Sequence, residues 1–399
     1  MRLQKPERNI RLFSWTQILL VFLLSLFPFL DNVALGQALR PVDPSHFPAF
    51  HDDLDRQSLL QAANRQATYL QGLPPKNALI LAGHAYSPQQ LLDSIKYFIQ
   101  IVEQTNTSQD IGKILQKTFK VYQATGNNKG PVFGQMLVTA YYEPIFEGSL
   151  RRENPFLYPL YTQPADLICR KRSLVDKTGT GRFKDSAPLP YWTRAEIETR
   201  NILAGNELVF LKDPFEAFLL HVQGSGKIHL RDGSLRAVCY AASNGQPYRS
   251  IGKLLVDEKK MSLAEATLPA IEGYLRKHPG DMMRILHSNP RFIFFRWGDN
   301  AGPRGSNNIL LTAGRSIAID QHVLPPGTIG FLISRRPEFD KEGRLVKWLP
   351  LQRFVFPQDS GAAIQGAGRV DLFLGDSNEA MLSAGLMKEE GTLYFLLKK

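Results

Sequence analysis

The sequence predicts a mainly β protein with helices, in which a second β-rich domain interrupts the first one. The chain has 399 residues, more than a single hydrophobic core usually requires, so we expect two domains. Amphipathic helical patterns are followed by short β-rich runs, and strand patterns return after Asn289. We therefore expect residues 39–142 and 285–399 to form one domain, and residues 143–284 to form an inserted β-rich domain, either a small barrel or a sandwich.

Residues 1–38 show the three-part pattern of a secretory signal peptide. A basic head is followed by an apolar run over about 18–30 and then by small residues, so cleavage is expected near Gly36 or Ala38. An uncleaved anchor is the alternative, because the apolar run is close to the shortest that spans a bilayer. The segment has no Cys for lipid attachment. We expect an exported protein, in the periplasm or associated with the outer membrane.

The charge balance indicates which partners to expect. The formal net charge is +11, with 48 Lys and Arg residues against 37 Asp and Glu residues. A basic exported protein suits a polyanionic envelope partner, such as a cell-wall polymer or an anionic membrane face. No basic motif with interleaved aromatic residues is visible, so nucleic acid is not expected as a partner. We expect a monomer, and the sequence does not identify protein partners.

Residues 39–142 contain clear helix signals. Ser87 and Gln90 predict a capping box at the start of a helix whose apolar residues repeat on one face. A second helix is expected over about 109–123, and the strand that follows it ends at Pro144. These elements would supply the N-terminal half of the interrupted domain.

The inserted domain contains the run "ELVFLKDPFEAFLLHVQGSG" at 207–226, which we interpret as β-rich. Gln223 and Ser225 lie beside glycines at its end, on a predicted turn. Amide and hydroxyl groups on such a turn suit sugar hydroxyls and N-acetyl groups. A plain hairpin turn is an equal alternative.

The chain has two cysteines, Cys169 and Cys239. They can form a disulfide in an oxidising compartment, but Cys239 fits a buried strand equally well. Neither they nor the histidines His221 and His229 show the spacing of a metal site. We therefore expect no metal and no cofactor.

The strand "RVDLFLG" near the C-terminus places a carboxylate in an unusual position. Val370, Leu372 and Leu374 alternate with Asp371 and Phe373, so the aliphatic side would fill a barrel and Asp371 would lie on the other face. Apolar neighbours raise the pKa of a carboxyl group, as a general acid near neutral pH requires. This stretch alone still favours an ordinary surface aspartate.

Several segments together resemble the membrane-bound lytic murein transglycosylase A family. They occur in the expected order from about Val132 to the C-terminus: "TAYYEP", "LPYWTRAEIE", "HVQGSGKIHLRDGS", "SNGQPYRSIGKLL", "NPRFIFFRW" and "SIAIDQHVLPPGTIGFL". The resemblance implies a double-psi β-barrel interrupted by a second β-barrel domain, with a groove between them for a glycan strand.

The C-terminal module of that family is named for three aspartates, which match Asp320, Asp359 and Asp371 in this sequence. The resemblance implies that Asp371 is the catalytic acid. Asp359 and Asp320 fit a supporting role better than direct catalysis: either can hold a turn or loop through hydrogen bonds to backbone N–H groups, and a charge at Asp359 would help to keep Asp371 protonated. We expect five residues to bind the substrate, namely Thr139, Tyr141, Tyr142, Gln223 and Ser225. From strand pattern alone, the two tyrosines fit a hydrophobic core at least as well as a sugar-stacking role.

The resemblance further implies cleavage of the β-1,4 bond between N-acetylmuramic acid and N-acetylglucosamine in peptidoglycan. One aspartate would act first as acid and then as base, leaving a 1,6-anhydro sugar. A hydrolytic glycosidase with Asp359 as the base is one alternative. A wall-binding protein without catalysis is another.

Overall fold

The protein is described from a computed structural model, which covers residues 38–105, 107–127, 133–169, 180–184, 187–299 and 301–399. The predicted signal peptide lies outside these residues apart from Ala38, so it stays a prediction. Within these ranges, no helix combines the length and apolar character needed to cross a membrane.

The described strands, in chain order, are β1 (Leu39–Pro41), β2 (Leu79–Leu81), β3 (His84–Tyr86), β4 (Phe119–Ala124), β5 (Met136–Tyr141), β6 (Ile145–Ser149), β7 (Tyr158–Tyr161), β8 (Ile168–Cys169), β9 (Thr180–Lys184), β10 (Ala187–Pro190), β11 (Glu207–Leu211), β12 (Ser225–Leu230), β13 (Leu235–Ser243), β14 (Ile293–Trp297), β15 (Ser316–Ala318), β16 (Ile329–Phe339), β17 (Leu345–Asp359), β18 (Arg369–Phe373) and β19 (Lys388–Lys398). The described helices are α1 (Arg56–Gln71), α2 (Pro88–Gln104), α3 (Ser108–Thr118), α4 (Arg194–Arg200), α5 (Pro214–Gln223), α6 (Ile251–Asp257), α7 (Leu268–Lys277), α8 (Pro279–His287) and α9 (Asn378–Leu386).

A closed barrel is built from both ends of the described chain. Strands β5, β18, β15, β17, β16 and β19 pair in this order, and β19 also pairs with β5, so the six strands close. β18 is parallel to β5 and β15 is parallel to β17, whereas the other pairings in the ring are antiparallel. The prediction of a mainly β fold with helices and a C-terminal barrel is confirmed, while the double-psi crossings stay a prediction.

Helices α1 and α2 cover one side of this barrel and complete its core. The predicted capping box is confirmed, because the Ser87 side chain accepts a hydrogen bond from the Gln90 backbone and the Gln90 side chain accepts one from the Ser87 backbone. Aromatic rings link the covering segments to the barrel, with Phe50 and Phe331 at a centroid distance of 5.1 Å. The aliphatic residues Val370 and Leu372 of β18 are fully buried in the same core.

A second sheet contains β14, β13, β12, β6, β11 and β7, in this order. One face of α5 packs on it, and the opposite face of α5 packs against α6, α7 and α8 through Phe215, Phe218 and Leu219. The division of the chain at residues 142 and 284 stays a prediction.

The structure corrects the assignment of the strand around "RFIFFRW". We expected it in the C-terminal unit, but β14 pairs with β13, with Val238 opposite Trp297 and Ser243 opposite Ile293. A strand pattern shows that a segment is extended and half-buried, but it contains no information about which sheet accepts its backbone hydrogen bonds.

The structure also corrects the predicted β-rich run at 207–226. The run begins with strand β11 and ends with the first two residues of β12, but α5 occupies most of the stretch between them. The Asp213 side chain accepts backbone hydrogen bonds from Phe215 and Glu216, and Pro214 occupies the first helical position. Gly224 then ends the helix with a left-handed φ of 80°. The apolar run was long enough for either element, so the capping residues decide in favour of a helix.

Candidate active site

Four residues lie in a row across four neighbouring strands of the barrel. Thr139 on β5 is opposite Asp371 on β18, Asp371 is opposite Ala318 on β15, and Ala318 is opposite Asp359 on β17. Residues that are opposite each other in a sheet project from the same face. The small side chain of Ala318 therefore separates the two carboxylates without filling the space between them.

Asp371 is the most strongly perturbed carboxyl group of the row. Burial raises its pKa to about 6, and the nearby negative charge of Asp359 raises it too. Two groups act in the opposite direction: the Thr139 hydroxyl, which donates a hydrogen bond of 2.7 Å to Oδ1, and the positive charge of Arg369. The result is a carboxyl group that holds its proton well above the usual pH range of an aspartate.

Phe373 projects from the same face of β18 as Asp371, as predicted, because Phe373 is opposite Tyr141 on β5 and Asp371 is opposite Thr139. Phe373 is only 3% exposed, and its ring packs against Tyr141 at a centroid distance of 5.3 Å.

Asp359 has both carboxylate oxygens occupied. Oδ2 accepts a hydrogen bond of 2.8 Å from the Tyr141 hydroxyl, and Oδ1 accepts one of 2.8 Å from each backbone N–H of Ser306 and Ser360. Burial raises the pKa of Asp359 and of Tyr141. The donors fix the position of the carboxylate and leave little lone-pair capacity for a water molecule.

Asp320 connects two loops beside the row. Its Oδ2 accepts the backbone N–H of Gly366 at 2.8 Å, and its Oδ1 accepts that of His322 at 3.1 Å. Gly366 has a φ of 77°, a left-handed conformation that favours glycine. Asp320 thus holds the Gly- and Ala-rich segment 361–368 in place next to Asp359 and Asp371.

These residues lie at one wall of a cleft of about 690 Å³. Thr139, Tyr141, Ala318, Asp359 and Asp371 form part of the barrel wall. The opposite wall comes from the second sheet and its helices and includes His221, Gln223, Tyr240, Tyr248, Arg291 and Ile293. A cleft of this size, with both carboxyl groups and aromatic hydroxyls, suits a polar ligand such as a glycan.

Three of the five predicted substrate-binding residues line this cleft, namely Thr139, Tyr141 and Gln223. Gln223 is the last residue of α5 and not part of a hairpin turn, and its Oε1 accepts the Tyr142 backbone N–H at 3.4 Å. The Tyr142 side chain is only 5% exposed and belongs to the protein interior. Ser225 begins β12 and is not among the residues that line the cleft.

Tyr240, Tyr248, Arg291 and Arg369 are among the cleft residues that sequence reasoning missed. Arg369 could have been found, because it precedes Asp371 by two positions on one strand and so projects from the same face. The other three come from distant segments whose approach to the barrel has no local sequence signal.

The histidines and cysteines considered in the sequence analysis lie in the following surroundings. His221 is buried, its Nδ1 accepts the Ile293 backbone N–H at 2.9 Å, and burial lowers its pKa well below the usual value. His229 is exposed on β12. Cys239 is buried and has no disulfide partner among the described side chains, and burial raises the pKa of its thiol. The Cys169 side chain lies outside the described residues, so the pairing of the two cysteines stays an open alternative.

Comparisons with known proteins agree with this architecture. Residues 137–296 match the family model of the MltA specific insert domain, and residues 315–397 match that of the 3D domain. The membrane-bound lytic murein transglycosylase A of Escherichia coli K12 is 31% identical over 266 residues, which cover 66% of this chain and 66% of the relative.

Two solved structures extend the comparison. A lytic transglycosylase of Burkholderia pseudomallei is 33% identical, with a TM-score of 0.51, and the match covers 91% of this chain and 96% of that one. The Escherichia coli MltA with bound chitohexaose is 22% identical, with a TM-score of 0.69, and the match covers 91% of this chain and 95% of that one. The second likeness concerns the fold alone.

Proposed function

The chain belongs to the membrane-bound lytic murein transglycosylase A family of enzymes, and from this membership we propose that it cleaves the glycan strands of peptidoglycan by lytic transglycosylation. The bond cleaved is the β-1,4 linkage between N-acetylmuramic acid and N-acetylglucosamine. The observation that carries this proposal is a cleft-lining carboxyl group, Asp371, whose pKa burial raises to about 6. The binding of chitohexaose by the Escherichia coli relative supports a glycan as the ligand of the cleft.

Asp371 would act first as a general acid. Its proton passes to the glycosidic oxygen as the bond from that oxygen to C1 of the muramoyl residue breaks. The resulting carboxylate then accepts the proton of the C6 hydroxyl of the same sugar, whose oxygen forms the new bond to C1. Water is not consumed, the leaving sugar keeps the transferred proton, and Asp371 ends protonated again.

This reaction needs one carboxyl group because the nucleophile is part of the substrate. A tethered hydroxyl has the advantage of proximity over a free water molecule. A hydrolytic glycosidase would need a second carboxylate as base or nucleophile. Asp359 is less suited to that role, because the Tyr141 hydroxyl and two backbone N–H groups occupy its oxygens.

Mass spectrometry of the products released from purified sacculi tests the proposal. We expect soluble muropeptides that end in 1,6-anhydro-N-acetylmuramic acid. Reducing ends would indicate the hydrolytic alternative, and retention on sacculi without soluble products would indicate a wall-binding protein.

The substitution Asp359→Asn is expected to shift the pH dependence of turnover. The charge of Asp359 raises the pKa of Asp371. Without it the acid form of Asp371 is lost at lower pH, so the basic limb of the kcat profile should move to lower pH. The pH–rate profile of anhydromuropeptide release measures this shift.

The matched control is Glu379→Gln, which removes one negative charge from an exposed position at the start of α9. Its pH profile should match that of the wild type. A basic limb that stays in place in Asp359→Asn, or moves to higher pH, would contradict the assigned electrostatic role.

A further inference from the structure

Arg369 places a positive charge in the cleft that has no ion-pair partner among the described residues. Its side chain lines the cleft wall on β18, two residues before Asp371 and on the same strand face. Its Nε is buried and, among the described residues, has no hydrogen-bond partner. No ion pair or side-chain hydrogen bond joins Arg369 to another described residue, although its charge acts on both Asp371 and the Tyr248 hydroxyl across the cleft.

The other basic residues of the cleft either donate a hydrogen bond to a backbone carbonyl or are exposed to water. Arg291 donates a hydrogen bond to the Gln246 carbonyl at 3.3 Å, and Lys388 donates one to the Leu263 carbonyl at 3.0 Å. Lys253 is exposed on α6. Among the described residues of the cleft, Arg369 is therefore the cation with a buried donor, Nε, that has no acceptor. A buried donor without an acceptor costs free energy unless a ligand supplies one.

We propose that Arg369 binds a carboxylate carried by the lactyl arm of the muramoyl residue, and so selects peptidoglycan over uncharged glycans. This inference rests on the proposed function. A guanidinium group suits a carboxylate because it can donate two parallel hydrogen bonds to it. The lactyl arm belongs to the same sugar whose C1 reacts. Arg369 and Asp371 are two positions apart on one strand, and such residues are about 7 Å apart, which is about the size of one sugar ring.

Two sources can supply this carboxylate. In glycan strands without peptides, the lactyl group itself ends in a free carboxylate. In strands with peptide stems the lactyl group is in an amide bond, and the carboxylates lie further along the stem. The shared chemistry is one negative group on the muramoyl side arm, and the experiment below separates the two sources.

The test measures binding to the Asp371→Asn enzyme, which should not turn over, with and without the additional change Arg369→Gln. Three probes are compared: amidase-stripped glycan strands, strands that keep their peptide stems, and chitohexaose, which has no carboxylate. We expect Arg369→Gln to weaken binding of at least one carboxylate-bearing probe by about 10–100-fold, the usual range for a charged hydrogen bond. Binding of chitohexaose should change less than about threefold.

The probes whose binding is weakened identify the source of the carboxylate. Weaker binding of stripped strands indicates the lactyl carboxylate, and a loss confined to stem-bearing strands indicates a stem carboxylate. Arg369→Lys keeps the charge but loses the paired donors. Its affinity for the carboxylate-bearing probe should therefore lie between the affinities of the protein with Arg369 and of Arg369→Gln. Arg344→Gln is the charge-matched control, because Arg344 is exposed and pairs with Asp340 and Glu342 away from the cleft.

An equal loss for all three probes, or no loss for any of them, would overturn the proposal. A second readout separates it from a purely electrostatic role. Because the charge of Arg369 lowers the pKa of Asp371, Arg369→Gln in the active enzyme should move the basic limb of kcat to higher pH for every substrate. That shift without carboxylate-selective binding would also overturn the proposal. If the wild type releases no anhydro products, the proposed function fails, whereas the binding comparison still decides the role of Arg369.

Discussion

Asp371→Asn should lower the release of anhydromuropeptides from sacculi by at least about 10²–10⁴-fold, because it removes the only group assigned to proton transfer. Asparagine keeps the size of the side chain and can still accept the hydrogen bond of Thr139. It can neither donate nor accept the transferred proton. Binding to sacculi should persist, since the cleft residues that contact the glycan are unchanged.

The same variant should gain stability at neutral and basic pH, which provides a control for folding. The folded-state pKa of Asp371 is raised from 3.8 to about 6. A group with a raised folded pKa contributes stability that is present below the unfolded pKa and lost as pH rises through the folded one. Asp371→Asn avoids the cost of ionising a buried carboxyl, so above pH 6 it should be more stable than the wild type by up to about 3 kcal/mol.

Urea unfolding at pH 4 and pH 8 measures this difference, which should be larger at pH 8. Near-native turnover by Asp371→Asn, with Asp359→Asn or Asp320→Asn inactive although folded, would falsify the assignment of Asp371. If Asp371→Asn is inactive but is also less stable than the wild type at pH 8, the argument from the burial of Asp371 is contradicted.

Asp52→Ala should destabilise the protein by about 3–5 kcal/mol, because it leaves a buried arginine without its counter-charge. Arg315 is 0% exposed, and its guanidinium donates hydrogen bonds of 2.6 and 2.9 Å to the two oxygens of Asp52. Arg315 also donates to the Asp55 carbonyl and the Ser58 hydroxyl. These contacts attach the start of α1 to the barrel strand β15, which carries Ala318 of the active row.

Thermal and urea unfolding at pH 7 measure the loss. Asp110→Ala is the matched control, because Asp110 forms an exposed pair with Lys113 and should change stability by less than about 1 kcal/mol. The double change Asp52→Leu with Arg315→Met removes both charges and should recover much of the lost stability. A loss below about 1 kcal/mol for Asp52→Ala would contradict the buried pair's role.

Local sequence signals predicted the elements that depend on neighbouring residues. The capping box at Ser87 and Gln90 forms as expected, because its hydrogen bonds join groups only three positions apart. The alternation around Asp371 correctly placed Val370 and Leu372 in the barrel core. The same pattern placed Phe373 on the face of Asp371, as the strand register confirms, but it could not distinguish a cleft from open water on that face.

The sequence by itself determined the family and the strand that carries Asp371, and it predicted a catalytic role for that residue. Only the tertiary structure decided that Asp371 has an elevated pKa, that Asp359 accepts hydrogen bonds from Tyr141, Ser306 and Ser360, and that the buried Nε of Arg369 has no hydrogen-bond partner within the described part of the chain. These properties depend on desolvation and on contacts between residues far apart in the chain, such as Thr139 and Asp371, which are 232 positions apart. Desolvation is a property of everything that surrounds a group, so no local pattern can encode it.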